Sequence, residues 1–257
     1  MAYTEIYPAE KALVPLIECF WMHQPRSDEP ILNQVMPDGC TDVIYQVHNE
    51  ASLTGGAVRK KEPSPILVGT MTRPITTQLH PTQVYIGIRF RPGGMAAFLS
   101  NPLAMLTDQM MPVDPMQPTL GFPILEQLTS NASWPQRIQS LETYLLSLRQ
   151  PTASLLSIQP VVDCILAEKG QTTLAQLSEV AGLSARQLER LFLKYVGISP
   201  KLLARIARFR HVKTILDNTP DDSLMGIAFD NGYTDHAHLT KEFTAFAGLT
   251  PSAYRER

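Results

Sequence analysis

One helical pattern occurs twice in the last third of the chain, and each copy ends in a Gly-x-Ser/Thr-Pro stop. The first copy runs through Leu174, Leu177, Gly182, Leu188, Phe192 and Tyr195 to Gly197-Ile198-Ser199-Pro200. The second runs through Leu224, Ile227, Gly232, Leu239, Phe243 and Phe246 to Gly248-Leu249-Thr250-Pro251. In both, a short apolar stretch and a glycine precede a longer stretch with leucine and aromatics at i, i+4 and i+7, the spacing of one helix face. Gly182 and Gly232 can take positive φ at little steric cost, and Ser184 and Asp235 each offer an oxygen to the open N–H groups of the helix that follows. The predicted unit is a helix, a sharp turn and a second helix with a cap and a buried stripe.

Repetition of this kind also suits a plain helical array. Against that, the outward positions of both second helices carry groups suited to nucleic acid: Arg186, Gln187 and Arg190, then His236, His238, Thr240 and Lys241. Helical phase puts Leu188, Leu191, Phe192 and Tyr195 inward in the first, and Leu239, Phe243 and Phe246 inward in the second. Arginine pairs bidentately with guanine and glutamine with adenine in the major groove, where each base pair shows a distinct set of donors and acceptors. Two such helices on one side of a duplex sit roughly 34 Å apart. Residues 199–216 read as a joining helix with Pro200 at its favoured first position, and at 1.5 Å per residue they span about 27 Å. Lys201, Arg205, Arg208, Arg210 and Lys213 form a run without an acidic residue. Ser184, Lys194, Arg205, Arg208 and His238 are therefore assigned to phosphate contacts.

The bulk numbers frame this reading. Of 257 residues, 44% are hydrophobic and 18% charged, enough for a substantial core, and the net charge of −2 excludes a uniformly basic chain. Three scattered cysteines, Cys19, Cys40 and Cys164, suggest neither a disulfide framework nor a zinc cluster. No apolar run is long enough to span a bilayer and the first residues do not read as a signal peptide, so the expectation is a cytoplasmic protein without membrane contact. The alternative from another class is a metal-dependent enzyme or metal sensor using His23, His48 and His80 with Asp38 and Asp42. Their spacing matches no metal motif, so no reaction and no cofactor is expected.

Residues 1 to about 93 read as strands and turns, with strands at 41–47, 66–70, 75–79 and 84–90, the second and third of these as a pair. A helical turn is expected at 95–99, a Pro-rich stretch through Pro112, Pro115, Pro118 and Pro123, and helices at 124–129 and 135–148. Later helices are expected near 158–168, 173–180, 184–195, 200–217, 223–230 and 235–247, with a short turn near Ser252. The fold class is α+β: a β-rich barrel or sandwich with accessory helices over 1–150, a linker over 151–157 and an all-α domain over 158–257. The turns at Pro37-Asp38-Gly39-Cys40 and Arg91-Pro92-Gly93-Gly94 are candidates to line an effector pocket in which Arg73 or Arg89 binds an anion, although turn geometry alone also accounts for them.

Residues 158–257 resemble the DNA-binding domain of the AraC family of bacterial transcription regulators. The matching stretches are Leu-Ser-Ala-Arg-Gln-Leu-Glu-Arg-Leu-Phe (183–192), Gly-Ile-Ser-Pro (197–200), Ile-Ala-Phe-Asp-Asn-Gly-Tyr-Thr-Asp-His-Ala-His-Leu-Thr-Lys-Glu-Phe (227–243) and Gly-Leu-Thr-Pro-Ser-Ala-Tyr-Arg (248–255). The resemblance implies a seven-helix domain with two helix-turn-helix subdomains joined by a long helix, binding double-stranded promoter DNA. Carried over by position, its groove-reading sites fall on Arg186, Glu189 and Arg190 and on His236, Ala237, Thr240 and Lys241. Leu203 and Val212 stand where the family has tyrosine and alanine, a departure that touches packing of the joining helix. Residues 10–148 are similar to an uncharacterised domain that precedes this module in one AraC-type subgroup, through Phe20-Trp21, residues 37–42, Gly69 with Arg73, and residues 87–94. That similarity implies a cupin-like scaffold that senses a small molecule or mediates homodimer formation; RNA polymerase is the further partner it allows.

Overall fold

A computed structural model of the chain describes residues 2–48, 65–113, 117–130, 132–150, 153–219 and 222–256. Pro115 of the Pro-rich stretch and Pro151 and Thr152 of the expected linker lie outside these, as does the side chain of His48.

The first half is β-rich. Its strands are β1 (Ala2–Ile6), β2 (Ile17–Gln24), β3 (Ile31–Val35), β4 (Thr41–His48), β5 (Ile66–Val68), β6 (Ile75–Leu79), β7 (Gln83–Phe90) and β8 (Met110–Pro112). They form an antiparallel six-stranded sheet in the order β1-β2-β7-β4-β5-β8 and a separate β3-β6 pair. In the middle of the sheet Ile88 stands opposite Phe20 on one side and Val43 on the other, and all three are fully buried. Side chains alternate across a strand, so the neighbours Trp21, Asp42 and Arg89 fall on the opposite face. One face is core, and the other carries a charged cluster.

The expected pairing of 66–70 with 75–79 is corrected. Leu67 pairs with Val43 and Met111, whereas Ile75 pairs with Val35. The turn between them is held away by Asp108, whose carboxylate accepts from Thr72 N at 2.7 Å and Thr72 Oγ1 at 2.6 Å, while Gly69 N donates to Gln109 O. Leu67 and Val68 are buried and need neighbours on both sides, while β6 exposes Thr76 and Gln78 and suits a two-stranded ribbon. Strand β2 was not anticipated, because its Cys19-Phe20-Trp21-Met22 stretch is an unbroken apolar run rather than an alternation.

After a 3-10 turn over Gly94–Ala97 come α1 (Phe122–Leu128) and α2 (Trp134–Leu148). The rest of the chain is helical among the described residues: α3 (Ala153–Ala167), α4 (Leu174–Ala181), α5 (Ala185–Tyr195), α6 (Pro200–Asn218), α7 (Leu224–Asp230), α8 (His236–Ala247) and α9 (Pro251–Arg255). Helix α3 starts inside the expected linker and passes through Pro160. Proline leaves the carbonyl four residues earlier without its helical donor. Here both Pro160 and Leu156 are exposed, so water can serve that carbonyl, while Leu155, Ile158, Val161 and Val162 hold the other face in the core.

The twice-used stop is also a start. Ser199 caps α6 by accepting from Leu202 N, with Pro200 as the first helical residue, and Thr250 with Pro251 does the same for α9. Helix α6 is buried on most sides, by Leu203, Ile206, Phe209, Val212 and Leu216 among others. Its Phe209 ring lies 5.1 Å from Phe243 and 5.3 Å from Phe246 of α8. A single apolar core continues from the sheet through α6 into α5 and α8.

Candidate nucleic-acid interface

Two helix-turn-helix units are built on the sequence pattern. In the first, α4 ends at Gly182 with φ 63°, and two residues on Ser184 opens α5. In the second, Asp235 opens α8 by accepting from His238 N at 2.7 Å. Leu188, Phe192 and Tyr195 of α5 and Leu239, Phe243 and Phe246 of α8 are buried, as the helical phase requires. That stripe fixes what remains outside: Arg186, Glu189, Arg190, Lys194, His236, Ala237 and Lys241 are all exposed.

The two second helices border one groove. Glu189 of α5 faces His238 and Glu242 of α8 across a depression of about 590 Å3 whose floor includes Lys201, Arg205 and Arg208 of α6. One residue of α5 and two of α8 thus open into a single depression over α6, which at 1.5 Å per residue is about 28 Å long. His238 packs edge-on against Tyr233 at 5.4 Å, and its Nδ1 accepts from Thr234 N at 3.3 Å. That bond leaves the proton on Nε2, a donor for an anion.

Other assigned side chains are occupied within the fold. Gln187 is exposed, but its Oε1 accepts from Ser184 N at 3.0 Å and from Ser184 Oγ at 2.7 Å, so the pair forms a capping box. Both side chains are exposed, but the cap takes Gln187 Oε1 away from base contact, and the Ser-x-x-Gln spacing was the sequence signal for this. Thr240 also departs from the phase argument, since its Oγ1 is enclosed and without a hydrogen-bond partner among the described residues.

The basic run of α6 is largely inward as well. Arg205 grips Glu242 through two bonds of 2.6 and 2.9 Å and lies 5.3 Å from the Phe246 ring. Burial pushes the Glu242 carboxyl up, but the Arg205 hydrogen bonds and charge outweigh it and leave it below the ordinary glutamate value. Arg208 donates to the carbonyls of Gly232 at 3.0 Å and Gly170 at 2.8 Å, tying α6 to the second turn and to the end of α3. Arg210 and Lys213 bond Asp38 O and Asp217. Arg205 and Arg208 thus spend hydrogen bonds within the fold, which the phosphate assignment did not anticipate, because a helix between two packed units turns its long side chains into cross-links. Lys201 is the exposed member of the run.

The β-rich half reaches both stops. Thr107 Oγ1 donates to Gly197 O at 2.7 Å and Thr70 Oγ1 to Val196 O at 3.2 Å. Gly197, at φ 91°, lies so close to Leu103 that an added Cβ would meet its carbonyl oxygen at 3.1 Å. At the second stop Gln34 Nε2 donates to Ala247 O at 3.0 Å.

Arg89 and Arg73 do not share a pocket. Arg73 is exposed on the turn before β6, whereas Arg89 bonds Asp42 at 3.2 Å and stands 3.7 Å from Asp38. Trp21 Nε1 also donates to Asp42, at 2.9 Å. Burial pushes the Asp42 carboxyl up, with Arg89 and the Trp21 N–H pulling against it. Asp38 and Asp42 thus face an arginine rather than histidines, and no three metal-binding side chains are grouped among the described residues. Burial pushes the Cys40 thiol well up, which keeps it protonated and inert.

Residues 177–257 match the family described as a helix-turn-helix domain, and residues 5–112 match a domain of unknown function, DUF6597. An uncharacterised HTH-type transcriptional regulator of Haemophilus influenzae is 32% identical over 81 residues, which is 32% of this chain and 27% of that protein. The HTH-type transcriptional regulator GlxA of Rhizobium meliloti is likewise 32% identical over 81 residues, 32% of this chain and 25% of its own length. The chain therefore spans about a quarter of these relatives. Among solved structures, an AraC-type DNA-binding domain protein from Chromobacterium violaceum aligns with 24% identity and a TM-score of 0.38, over 40% of this chain and 92% of that one. ToxT from Vibrio cholerae aligns with 10% identity and a TM-score of 0.44, over 92% of this chain and 98% of that one.

Proposed function

We propose that this chain, which carries an AraC-type helix-turn-helix domain at its C-terminal end and a DUF6597 domain before it, is a transcription regulator that reads two successive major grooves of promoter DNA. The observation that carries this reading is the shared groove: Glu189 and His238 face each other across α6, so α5 and α8 present Arg186, Arg190, His236 and Lys241 to one side of the molecule. Arg186 and Arg190 suit guanine edges, Glu189 suits the cytosine amino group, and Ala237 offers a methyl to thymine. Lys194, Lys201, Lys241 and the Nε2 of His238 supply phosphate contacts, since they are the donors left on that side once Arg205 and Arg208 are committed to the fold.

Residues 1–150 act as the sensing and pairing domain, residues 158–257 as the DNA-binding domain, and helix α3 takes up most of the proposed linker. The hydrogen bonds from Thr70, Thr107 and Gln34 to the two stops support modulation through the first domain, because any shift of the β-rich half is felt at the ends of both reading helices. A homodimer formed by that domain, and RNA polymerase, complete the proposed partners. The reading assigns the chain no reaction. Selection of bound sequences from random duplexes tests it: recovered sites should hold two motifs about one helical turn apart, and log affinity should fall linearly with log salt at about 0.9 per phosphate contacted. Recovery of no common sequence would overturn the reading.

A further inference from the structure

A cleft of about 910 Å3 opens where the β-rich half meets the helical part. One wall is the Pro37-Asp38 turn with Arg89, and the other is the C-terminal half of α6, with Arg210 and Lys213, and α9, with Arg255. Its charges are not matched one to one. Arg89 serves Asp42 and Asp38, and Lys213 serves Asp217 at 2.8 Å. Among the described residues Arg210 and Arg255 meet only neutral acceptors: Arg210 Nη1 bonds Asp38 O at 3.0 Å and Arg255 Nη2 bonds Asp222 O at 2.5 Å. Neither guanidinium forms an ion pair among the described residues. Arg255 Nε is enclosed and has no hydrogen-bond partner among them. Protein covers that nitrogen, whereas the charge and the remaining N–H groups of both guanidiniums are left for a bound anion in the cleft they line.

We infer that this cleft binds a small organic anion, a carboxylate or a phosphate ester, whose charged group is held by Arg210 and Arg255 and whose apolar body lies against Met36 and Phe209. A guanidinium offers its donors as a planar fork that matches either oxyanion. The lining of Met36, Phe209 and Leu216 beside those cations favours a ligand with an apolar part over a bare inorganic ion. The site also explains how occupancy reaches the DNA interface. Arg210 joins Asp38 of the β-rich half to α6, the helix that carries both reading units, so an anion competing for Arg210 alters that junction. This role rests on the proposed function; the site itself does not.

Titration calorimetry of the full chain with benzoate, phenyl phosphate and inorganic phosphate in separate runs tests the proposal. One of the two aromatic anions should bind one to one and more tightly than inorganic phosphate, and which one does so distinguishes carboxylate from phosphate ester. Arg210→Gln and Arg255→Gln should each weaken binding about tenfold, as loss of a charge-assisted hydrogen bond does. Arg210→Lys, which keeps the charge but loses the fork, should fall between, and it serves in place of a glutamine variant that fails to fold. Absence of binding by both aromatic anions, or binding by both glutamine variants as tight as by the unmutated chain, overturns the site. Operator affinity measured with and without the anion should change by the factor by which operator changes anion affinity. Anion binding with operator affinity unchanged overturns the effector role, whereas anion binding by a chain that binds no DNA retains the site and removes the proposed function instead.

Discussion

Arg205 shows how a residue's charge can be legible in the sequence while its partner within the fold is not. Its place in a basic run suggested phosphate, yet Glu242 of α8, 37 positions away, takes its guanidinium in a two-bond grip. Glu242→Gln should release Arg205 toward the duplex, raising affinity for random DNA and steepening the salt dependence by about 0.9 in the log–log slope; an unchanged slope in filter binding or fluorescence anisotropy would argue against this. The same pair has a pH signature. Because Glu242 is held below its ordinary value of 4.5, its contribution to stability is complete above that value and is lost as pH falls through the lower folded one, so acid unfolding of Glu242→Gln should lack that part of the pH dependence. Among the exposed residues, Arg190→Ala with Lys241→Ala should abolish sequence-specific binding while leaving the thermal midpoint nearly unchanged. Retention of operator binding by this double variant would remove both side chains from the interface. Gln187 and Thr240 belong to the same lesson, since helical phase says which side a Cβ is on but not whether a cap or a neighbouring helix has taken the polar atoms.

At the scale of elements, the helices were legible because each has its own punctuation. Ser184, Ser199, Asp235 and Thr250 cap the helices that follow them, and the apolar stripes repeat at helical spacing, so the boundaries of α4 to α9 follow from neighbouring residues. The strands were less legible. Strand β2 carries the unbroken apolar run Cys19-Phe20-Trp21-Met22 instead of an alternation, and the partners of β5 and β6 depend on Asp108 fastening a distant turn, which no local pattern announces. Helix α6 was expected as a spacer and is also a packing centre, against which α3, α5, α8 and α9 lie. Phe209→Ala should therefore cost about 3–5 kcal/mol, the range for removing a buried aromatic side chain, and denaturant titration should show both helix-turn-helix units losing structure in one transition. A loss confined to the second unit would mean that α6 does not couple them.

For the whole molecule, the continuous core and the bonds to both stops make the β-rich half part of the mechanical frame of the proposed DNA interface. Thr70→Val with Thr107→Val removes the donors at the first stop while nearly preserving shape. Binding to a duplex holding one half-site should then be unchanged, and binding to the full two-part site should shift several-fold, because only the latter depends on the relative placement of α5 and α8. Equal shifts on both duplexes in an anisotropy titration would mean that these contacts stabilise the first unit alone.

Sequence alone determined that two helix-turn-helix units exist, where their helices begin, and which of their faces is apolar, because caps, turn glycines and periodic stripes act over a few residues. It also marked Arg190 and Lys241 as exposed cations. Which cations remain available for DNA, which strands pair, and how the β-rich half holds both stops were decided only in the tertiary structure. Arg205 with Glu242, Arg210 with Asp38 and Thr107 with Gly197 join positions 37, 172 and 90 residues apart, and partners at such separations meet only when packing of the core has brought their backbones together.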